Sequence, residues 1–270
     1  MSSERADILG CPVDCLSFAD AIDELTRRIR DRQVTHVVFS NVAKIVRMRK
    51  DAALARALRS AELVLADGVP LTWVAPLLGS ALAGRVNGTD LFEGMVAEAA
   101  RHGFRVYFLG ATDEVVQATV AQFKRRHPDL IIAGCRSGYF NDVEESEIVE
   151  QIAESDADIL FLGMGTPKKE LWGARNLHKL NVSVCQGVGG SFDVIAGALK
   201  RAPRWMQRAG LEWFYRIVQE PGRMWKRYLL TNTAFCWQLL IELLRRAVRP
   251  RTIAGGAHEK RGATGRRKAA

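Results

Sequence analysis

The sequence predicts an α/β fold, a largely parallel sheet with flanking helices, followed by a basic, all-helical C-terminal appendage. Three observations carry that prediction. Short, almost continuous apolar runs alternate with helix-length segments through residue 199. Several of the runs end directly in a glycine-bearing or polar turn. From Lys200 onward the strand pattern stops and only helical periodicity remains. Strands covered on both faces read as continuous apolar runs, and their alternation with helices is the mark of a parallel sheet.

The runs are His36–Ser40, Glu62–Ala66, Arg105–Leu109, Leu130–Ala133, Asp158–Leu162 and Val182–Gln186. Each is short and rich in Val, Ile, Leu or Phe, as buried strands are. Between them, Val42–Ser60, Asp90–His102, Asp113–His127 and Val143–Ser155 read as helices. The turns that follow the runs include Asp67-Gly68, Gly110-Ala-Thr-Asp113, Gly163-Met-Gly165-Thr166-Pro167 and Gly187-Val188-Gly189-Gly190-Ser191. Ligands of open α/β sheets bind outside the carboxyl ends of the strands, so these turns are expected to line one cleft. Each could equally close a tight strand-to-helix connection, where glycine is common.

The domain boundaries follow from composition. Residues 1–199 form the α/β domain, 200–250 a helical appendage punctuated by Pro203 and Pro221-Gly222, and 251–270 a polar, basic tail expected to be disordered. Charge is divided in the same way. Residues 1–199 carry 22 Lys/Arg against 26 Asp/Glu, whereas residues 200–250 carry 11 against 3. The appendage also holds Trp205, Trp213, Trp225 and Trp237, four of the six tryptophans. Basic residues mixed with tryptophan suit an anionic membrane surface, where amphipathic rings settle at the boundary. Nucleic acid is the competing anionic partner; the acidic body and the lack of a nucleic-acid-binding motif weigh against it. No window reaches the roughly 18–20 uninterrupted apolar residues of a spanning helix, Tyr228–Leu244 being closest, so a peripheral association is expected. The N-terminal segment has no stretch of signal-peptide length. Five scattered cysteines fit a reducing cytoplasm better than a disulfide framework.

Chemistry-bearing residues are few. Asp67, between an apolar run and Gly68, is placed to take a proton from an attacking hydroxyl, although an aspartate there can also cap a turn or helix. In Arg85-Val-Asn87-Gly88-Thr89-Asp90, Gly88 permits a tight turn and Thr89 or Asp90 can cap the helix that follows. That helix start, with Arg85 beside it, can receive an anion. Gly163-Met-Gly165-Thr166-Pro167-Lys168-Lys169-Glu170 resembles a phosphate-cradling turn without the P-loop spacing. Gly187-Val188-Gly189-Gly190 matches only half of a dinucleotide fingerprint, which disfavours nicotinamide chemistry. No HExxH or other paired histidine spacing appears, nor a second Cys/His pair for Cys11 and Cys15, and no G-x-S-x-G elbow occurs. Metal and cofactor are accordingly expected to be absent. Arg216, Arg223 and Arg227 fall at i, i+7 and i+11, one stripe of an ideal helix unless Pro221-Gly222 interrupts it. Such a stripe is either a solvated face or a set of guanidiniums suited to a diphosphate.

Together these segments resemble the WecG/TagA/CpsF glycosyltransferase family (glycosyltransferase family 26). The resemblance rests on Ser40-Asn41-Val42, Ala66-Asp67-Gly68-Val69-Pro70, Arg85-Val-Asn-Gly-Thr-Asp90-Leu, Phe108-Leu-Gly110, Gly138-Tyr-Phe140, Gly163-Met-Gly-Thr-Pro-Lys-Lys-Glu170 and Gly187-Val-Gly-Gly-Ser-Phe-Asp193. Arg201-Ala-Pro-Arg-Trp-Met206, Leu211-Glu-Trp-Phe-Tyr-Arg216 and Glu220-Pro-Gly-Arg223 extend it through the appendage, so that it spans roughly residues 7 to 245. The family implies a Rossmann-like catalytic domain and an inverting, metal-independent transfer from a UDP-sugar to a polyprenyl-diphosphate-linked saccharide, at the cytoplasmic face of the plasma membrane. It implies Asp67 as general base and a substrate cleft that includes Asn41, Gly68, Arg85, Asn87, Thr89, Gly163, Gly165, Thr166, Lys169, Glu170, Gly187, Val188, Gly189 and Asp193. By the same resemblance Arg216, Arg223 and Arg227 approach the diphosphate. Phe39 and Lys169 depart from the family, standing where many relatives have Thr and Gln. The alternatives are a non-catalytic nucleotide or nucleic-acid binder with a basic tail, and a membrane-associated scaffold. A homo-oligomer that hides the appendage's apolar face in solution is a further hypothesis.

Overall fold

The computed structural model describes residues 4–208, 210–219 and 221–248, excepting the side chains of Arg208, Arg216, Pro221, Arg223, Met224 and Arg227. The expected tail at 251–270 lies outside these residues.

Six strands form one parallel sheet: β3 (Thr35–Ser40), β4 (Leu63–Ala66), β5 (Arg105–Gly110), β6 (Ile131–Arg136), β7 (Ile159–Gly163) and β8 (Val184–Gly187). They lie in the order β4-β3-β8-β7-β5-β6. All six correspond to the apolar runs of the sequence. Alternate side chains of each strand enter different cores. Val37, Phe39, Phe108, Phe161 and Val184 face α1 (Phe18–Arg30), α5 (Gly88–His102), α6 (Asp113–Arg126) and α9 (Ser191–Ile195). The opposite alternation, Val38, Val64, Leu109, Leu160 and Cys185, faces α2 (Val42–Met48), α3 (Ala52–Ser60), α4 (Val69–Leu77), α7 (Asp142–Glu154) and α8 (Lys168–Asn176). The first core centres on Phe92, whose ring meets Phe161 edge-on at 4.7 Å and Phe123 at 5.0 Å.

Local chemistry sets the helix starts. Ser17 and Asp20 form a capping box on α1, and Asn141 and Glu144 form another on α7. The expected single helix Val42–Ser60 is two helices, because Asp51 leaves helical geometry and caps Leu54 N at 3.0 Å. Asn87, rather than Thr89 or Asp90, caps α5; its Oδ1 accepts from both Thr89 N and Asp90 N.

One element was not legible in advance. Arg5–Ile8 (β1) and Cys11–Asp14 (β2) pair antiparallel around a two-residue turn in which Leu9 and Gly10 both have positive φ. A turn of that form usually carries Asn-Gly or Asp-Gly, so Leu-Gly gives little warning. The hairpin covers the β4 edge: buried Asp14 accepts from Val64 N at 2.7 Å and pairs with Arg5 at 3.0 Å. An edge donor is thereby satisfied rather than left open for pairing.

The appendage comprises α10 (Arg204–Arg208), α11 (Glu212–Gln219) and α12 (Pro221–Val248). The break between α11 and α12 falls at the Pro221-Gly222 punctuation. Phe235 of α12 is buried in the core built by Val38, Ile45 and Met48, with Leu239 and Leu243 packed beside it. These residues recur every four positions, the inward stripe of a helix. Trp225, Leu229, Trp237, Leu240 and Leu244 remain exposed on α12. Among the described residues no helix is long and apolar enough to cross a membrane.

Candidate active site

The carboxyl ends of the strands bring the expected turns together. Ser40 and Ala66 are register partners, and Asp67 N donates to Ser40 O at 2.8 Å, so Asn41 and Asp67 leave adjacent strands side by side. Val86 N donates to Ala66 O at 2.8 Å, which draws Arg85 and Asn87 alongside. β3 and β7 feed helices on one face of the sheet, while the intervening β8 feeds α9 on the other. Turns that diverge in this way open a crevice at the strand ends.

Close packing explains two of the glycines. Gly110 has φ +154, and a Cβ there would lie 2.4 Å from Gly163, its partner on β7. A Cβ on Gly163 would lie 2.5 Å from the Phe192 ring. Beyond them, the stem of Lys169 runs under the Gly187–Gly189 turn, its Cδ 3.0 Å from a Gly187 Cβ position and its Nζ 3.5 Å from that of Gly189. A Cβ on Gly165 would meet open space.

Beneath this rim lies a buried charge cluster. Glu170 Oε1 accepts from Lys44 Nζ at 2.6 Å, Lys169 Nζ at 3.1 Å and Thr166 Oγ1 at 3.1 Å. Lys169 Nζ also donates to Thr166 Oγ1 at 2.8 Å, and Lys44 Nζ to Phe39 O at 2.6 Å. Glu170 Oε2 is buried without a hydrogen-bond partner. Burial pushes the Glu170 carboxyl up, but the two ammonium groups outweigh it and hold its pKa at about 2. Burial and the Lys44 charge lower Lys169 to about 8, with Glu170 and Asp67 opposing. Asp67 therefore acts electrostatically on a lysine of the cluster. His36, buried against Gly173, is lowered to about 4 by burial and is a neutral core side chain near neutral pH. Among the described residues no group of three or more His, Cys, Asp or Glu could hold a metal ion.

Residues 6–249, nearly all of this α/β body and its appendage, match the Glycosyl transferase WecG/TagA/CpsF family. The chain belongs to that family. Two relatives are each named N-acetylglucosaminyldiphosphoundecaprenol N-acetyl-beta-D-mannosaminyltransferase. The protein from Bacillus spizizenii is 34% identical over 226 residues, covering 81% of this chain and 86% of the relative. That from Bacillus subtilis is 33% identical over 209 residues, covering 77% and 80%.

Within this family member, Asp67, Gly68 and Asn41 share the β3–β4 end of the crevice. Asn41 caps α2, its Oδ1 accepting from Lys44 N at 3.0 Å. Thr89 Oγ1 lies 2.8 Å from Ser191 Oγ, which ties the start of α5 to the Gly187–Gly190 turn carrying Val188. Gly163, Gly165 and Thr166 lie at the end of β7 and the start of α8, Lys169 and Glu170 are buried beneath them in the charge cluster rather than exposed on the rim, and Asp193 lies in the first turn of α9. Arg85 is differently engaged: its guanidinium meets Glu212 of the appendage and donates to Gln207 O at 3.3 Å. Arg216, Arg223 and Arg227 lie on α11 and α12 by their backbones, and their side chains fall outside the described residues. Phe39 is buried in the core and packs against Gly88.

Sequence reasoning missed Lys44 and Glu212. Lys44 stands between Val42, Ile45 and Val46, and a lysine on the apolar stripe of a helix is a signal for burial with a partner. Glu212 is one of only three acidic residues among 200–250. Its isolation in a basic segment was the available clue.

Proposed function

We propose that the protein transfers a sugar of the N-acetylmannosamine type from UDP to a saccharide linked to polyprenyl diphosphate, with inversion and without a metal ion, in the synthesis of a cell-surface polymer. The observation that carries this reading is the juxtaposition of Asp67 and Asn41 at the ends of paired strands, above a buried Lys44–Glu170–Lys169 cluster. The names of the two Bacillus relatives support the donor sugar and the acceptor.

In the proposed reaction Asp67 accepts the proton of the acceptor hydroxyl. The hydroxyl oxygen attacks the anomeric carbon from the side opposite UDP. The bond to the β-phosphate breaks, and UDP leaves with its electron pair. Removal of the proton makes the oxygen a stronger nucleophile, which is general-base catalysis. The charge that develops on the diphosphate is met by backbone N–H groups of the glycine turns and by Arg216, Arg223 and Arg227. Fixed donors and guanidiniums stabilise such charge without reorganising. Lys169 lends the Gly187–Gly189 turn a positive field. Trp225, Trp237 and neighbouring leucines, exposed on a basic appendage, favour peripheral attachment to an anionic membrane surface at the cytoplasmic face.

The test is UDP release from a panel of UDP-sugars, UDP-glucuronate included, with a short-chain polyprenyl-diphosphate sugar as acceptor. Acceptor-dependent release with one donor, unchanged by EDTA and accompanied by inverted anomeric configuration in the product, is the expected result. Asp67→Asn is expected to lower kcat by about 10²–10⁴-fold, as loss of a general base does. Near-wild-type turnover by Asp67→Asn removes the assignment, and sensitivity to EDTA removes the metal-independent mechanism.

A further inference from the structure

We infer that Glu212 is a positioning residue, a latch that holds the α10–α11 strap across the mouth of the Asp67 cleft, and that Arg85 serves this latch rather than a substrate anion. Glu212 Oε2 accepts from Arg85 Nη2 and, at 3.1 Å, from Asn87 Nδ2. Its Oε1 lies 3.6 Å from Arg201 Nε. Arg201 in turn pairs with Asp90 Oδ1 at 2.6 Å. Two guanidiniums and an amide thus converge on one carboxylate that is only 20% exposed.

The position of this network gives it a role. Arg85 and Asn87 are held beside Asp67 by the Val86–Ala66 hydrogen bond. The strap crosses the same place: Gly210, at φ +72, presses on Val69, so closely that a Cβ there would lie 2.6 Å from Val69 Cγ2. Gln207 closes the strap on itself, its Nε2 donating to Ala202 O at 2.6 Å. Its carbonyl takes the other arm of Arg85. Residues 122 and 127 positions apart in the chain are therefore joined at the rim of the cleft.

Charge explains why the latch must be acidic. The appendage is strongly basic, and Arg85 would repel it. A carboxylate between Arg85 and Arg201 turns that repulsion into attraction, and a charge-assisted bond to a guanidinium also fixes orientation. Arg216 follows Glu212 by four residues on α11, about one helical turn, so the latch sets where the backbone carries it. The second attachment of the appendage, the Phe235, Leu239 and Leu243 stripe, is independent of the latch. Losing Glu212 should loosen the strap while α12 stays seated.

The role in turnover rests on the glycosyl-transfer reading above; the latch itself does not. The experiment is a reciprocal charge exchange on the full chain, read by steady-state kinetics and by amide hydrogen exchange. Glu212→Arg and Arg85→Glu are each expected to lower kcat/KM by about 10- to 100-fold, the range for a displaced positioning element. Each should speed exchange across 204–219 while β3 and β4 keep their protection. The Arg85→Glu/Glu212→Arg double variant should recover at least about tenfold of the lost kcat/KM together with slow exchange, since coupled charges behave non-additively. Glu212→Gln, which keeps the shape, should loosen the strap less. A double variant as impaired as its worse single places Arg85 on substrate and overturns the proposal, as do unchanged exchange and turnover in Glu212→Arg. If no donor supports transfer by the wild-type protein, the reaction assignment fails separately, and exchange in the double variant decides the latch: restored protection supports it, continued opening refutes it.

Discussion

Replacing Glu170 by glutamine removes the carboxylate that two buried ammonium groups share. Lys44 and Lys169 both reach Glu170 Oε1, at 2.6 and 3.1 Å, and Glu170 is 1% exposed. Breaking a buried ion pair by removing one partner typically costs about 3–5 kcal/mol, because a buried charge is left uncompensated. Linkage gives a figure of the same size. A carboxyl held at about 2 in the folded protein against 4.5 otherwise contributes on the order of 3 kcal/mol at neutral pH. Folding depresses this group, so its contribution is whole above pH 4.5 and drains away as the pH falls toward 2. Urea unfolding at pH 7.5 should therefore find Glu170→Gln less stable by about 3 kcal/mol. The gap to wild type should narrow by about half or more at pH 3. Deprotonation of Lys169 in the variant relieves part of the cost, which makes 3 rather than 5 kcal/mol the better expectation. A loss under about 1 kcal/mol at pH 7.5, or a gap that does not narrow in acid, refutes the cluster as a stabilising unit.

Other expectations follow from the same geometry. Lys169 is held near pH 8, below the 10.5 of a free lysine; the unfolded chain then binds more protons between those values, so wild-type stability should rise with pH above 8. Lys169→Met should flatten that rise, as urea midpoints between pH 7 and 9.5 would register. Phe235→Ala should cost about 3–5 kcal/mol of packing, seen as rapid hydrogen exchange across α12; slow exchange there would mean that Phe235 does not anchor the helix. Gly163→Ala, with its new methyl 2.5 Å from Phe192, should lower stability by about 1–3 kcal/mol through overpacking. An unchanged thermal midpoint would show that the β5–β7 rim yields without strain.

The strands were legible because each is a local signal. Val37, Val38 and Phe39, or Ile159 to Leu162, are apolar on both sides of the chain over a length too short for a buried helix, as a strand covered on both faces requires. The turns after β5, β7 and β8 were legible for a similar reason: Gly110 stands against the Gly163 backbone, Gly163 against the Phe192 ring and Gly187 tightly against the Lys169 stem. The catalytic candidate Asp67 was marked by its place at a strand end. The hairpin was missed because Leu9-Gly10 lacks the usual turn chemistry, and its burial depends on the exposed edge of β4, which is defined only by the assembled sheet. Val42–Ser60 read as one helix because the apolar period runs through Asp51, and the cap that divides it is a single side-chain hydrogen bond.

What the sequence by itself determined is the six strands of the sheet, the α/β fold class with helices alone at the C-terminal end, the uneven placing of charge along the chain, and the membership of a glycosyltransferase family. Periodicity, composition and motif order are properties of neighbouring residues and survive without coordinates. The tertiary structure decided the strand order, the hairpin on the β4 edge and the pairing of charges. Lys44 meets Glu170, and Arg85 meets Glu212, only because sheet register and helix packing bring distant segments within hydrogen-bonding distance. Whether a charge is solvated or buried against a partner depends on that packing, since the cost of a buried charge and the value of its pairing are both set by the surroundings rather than by the residue.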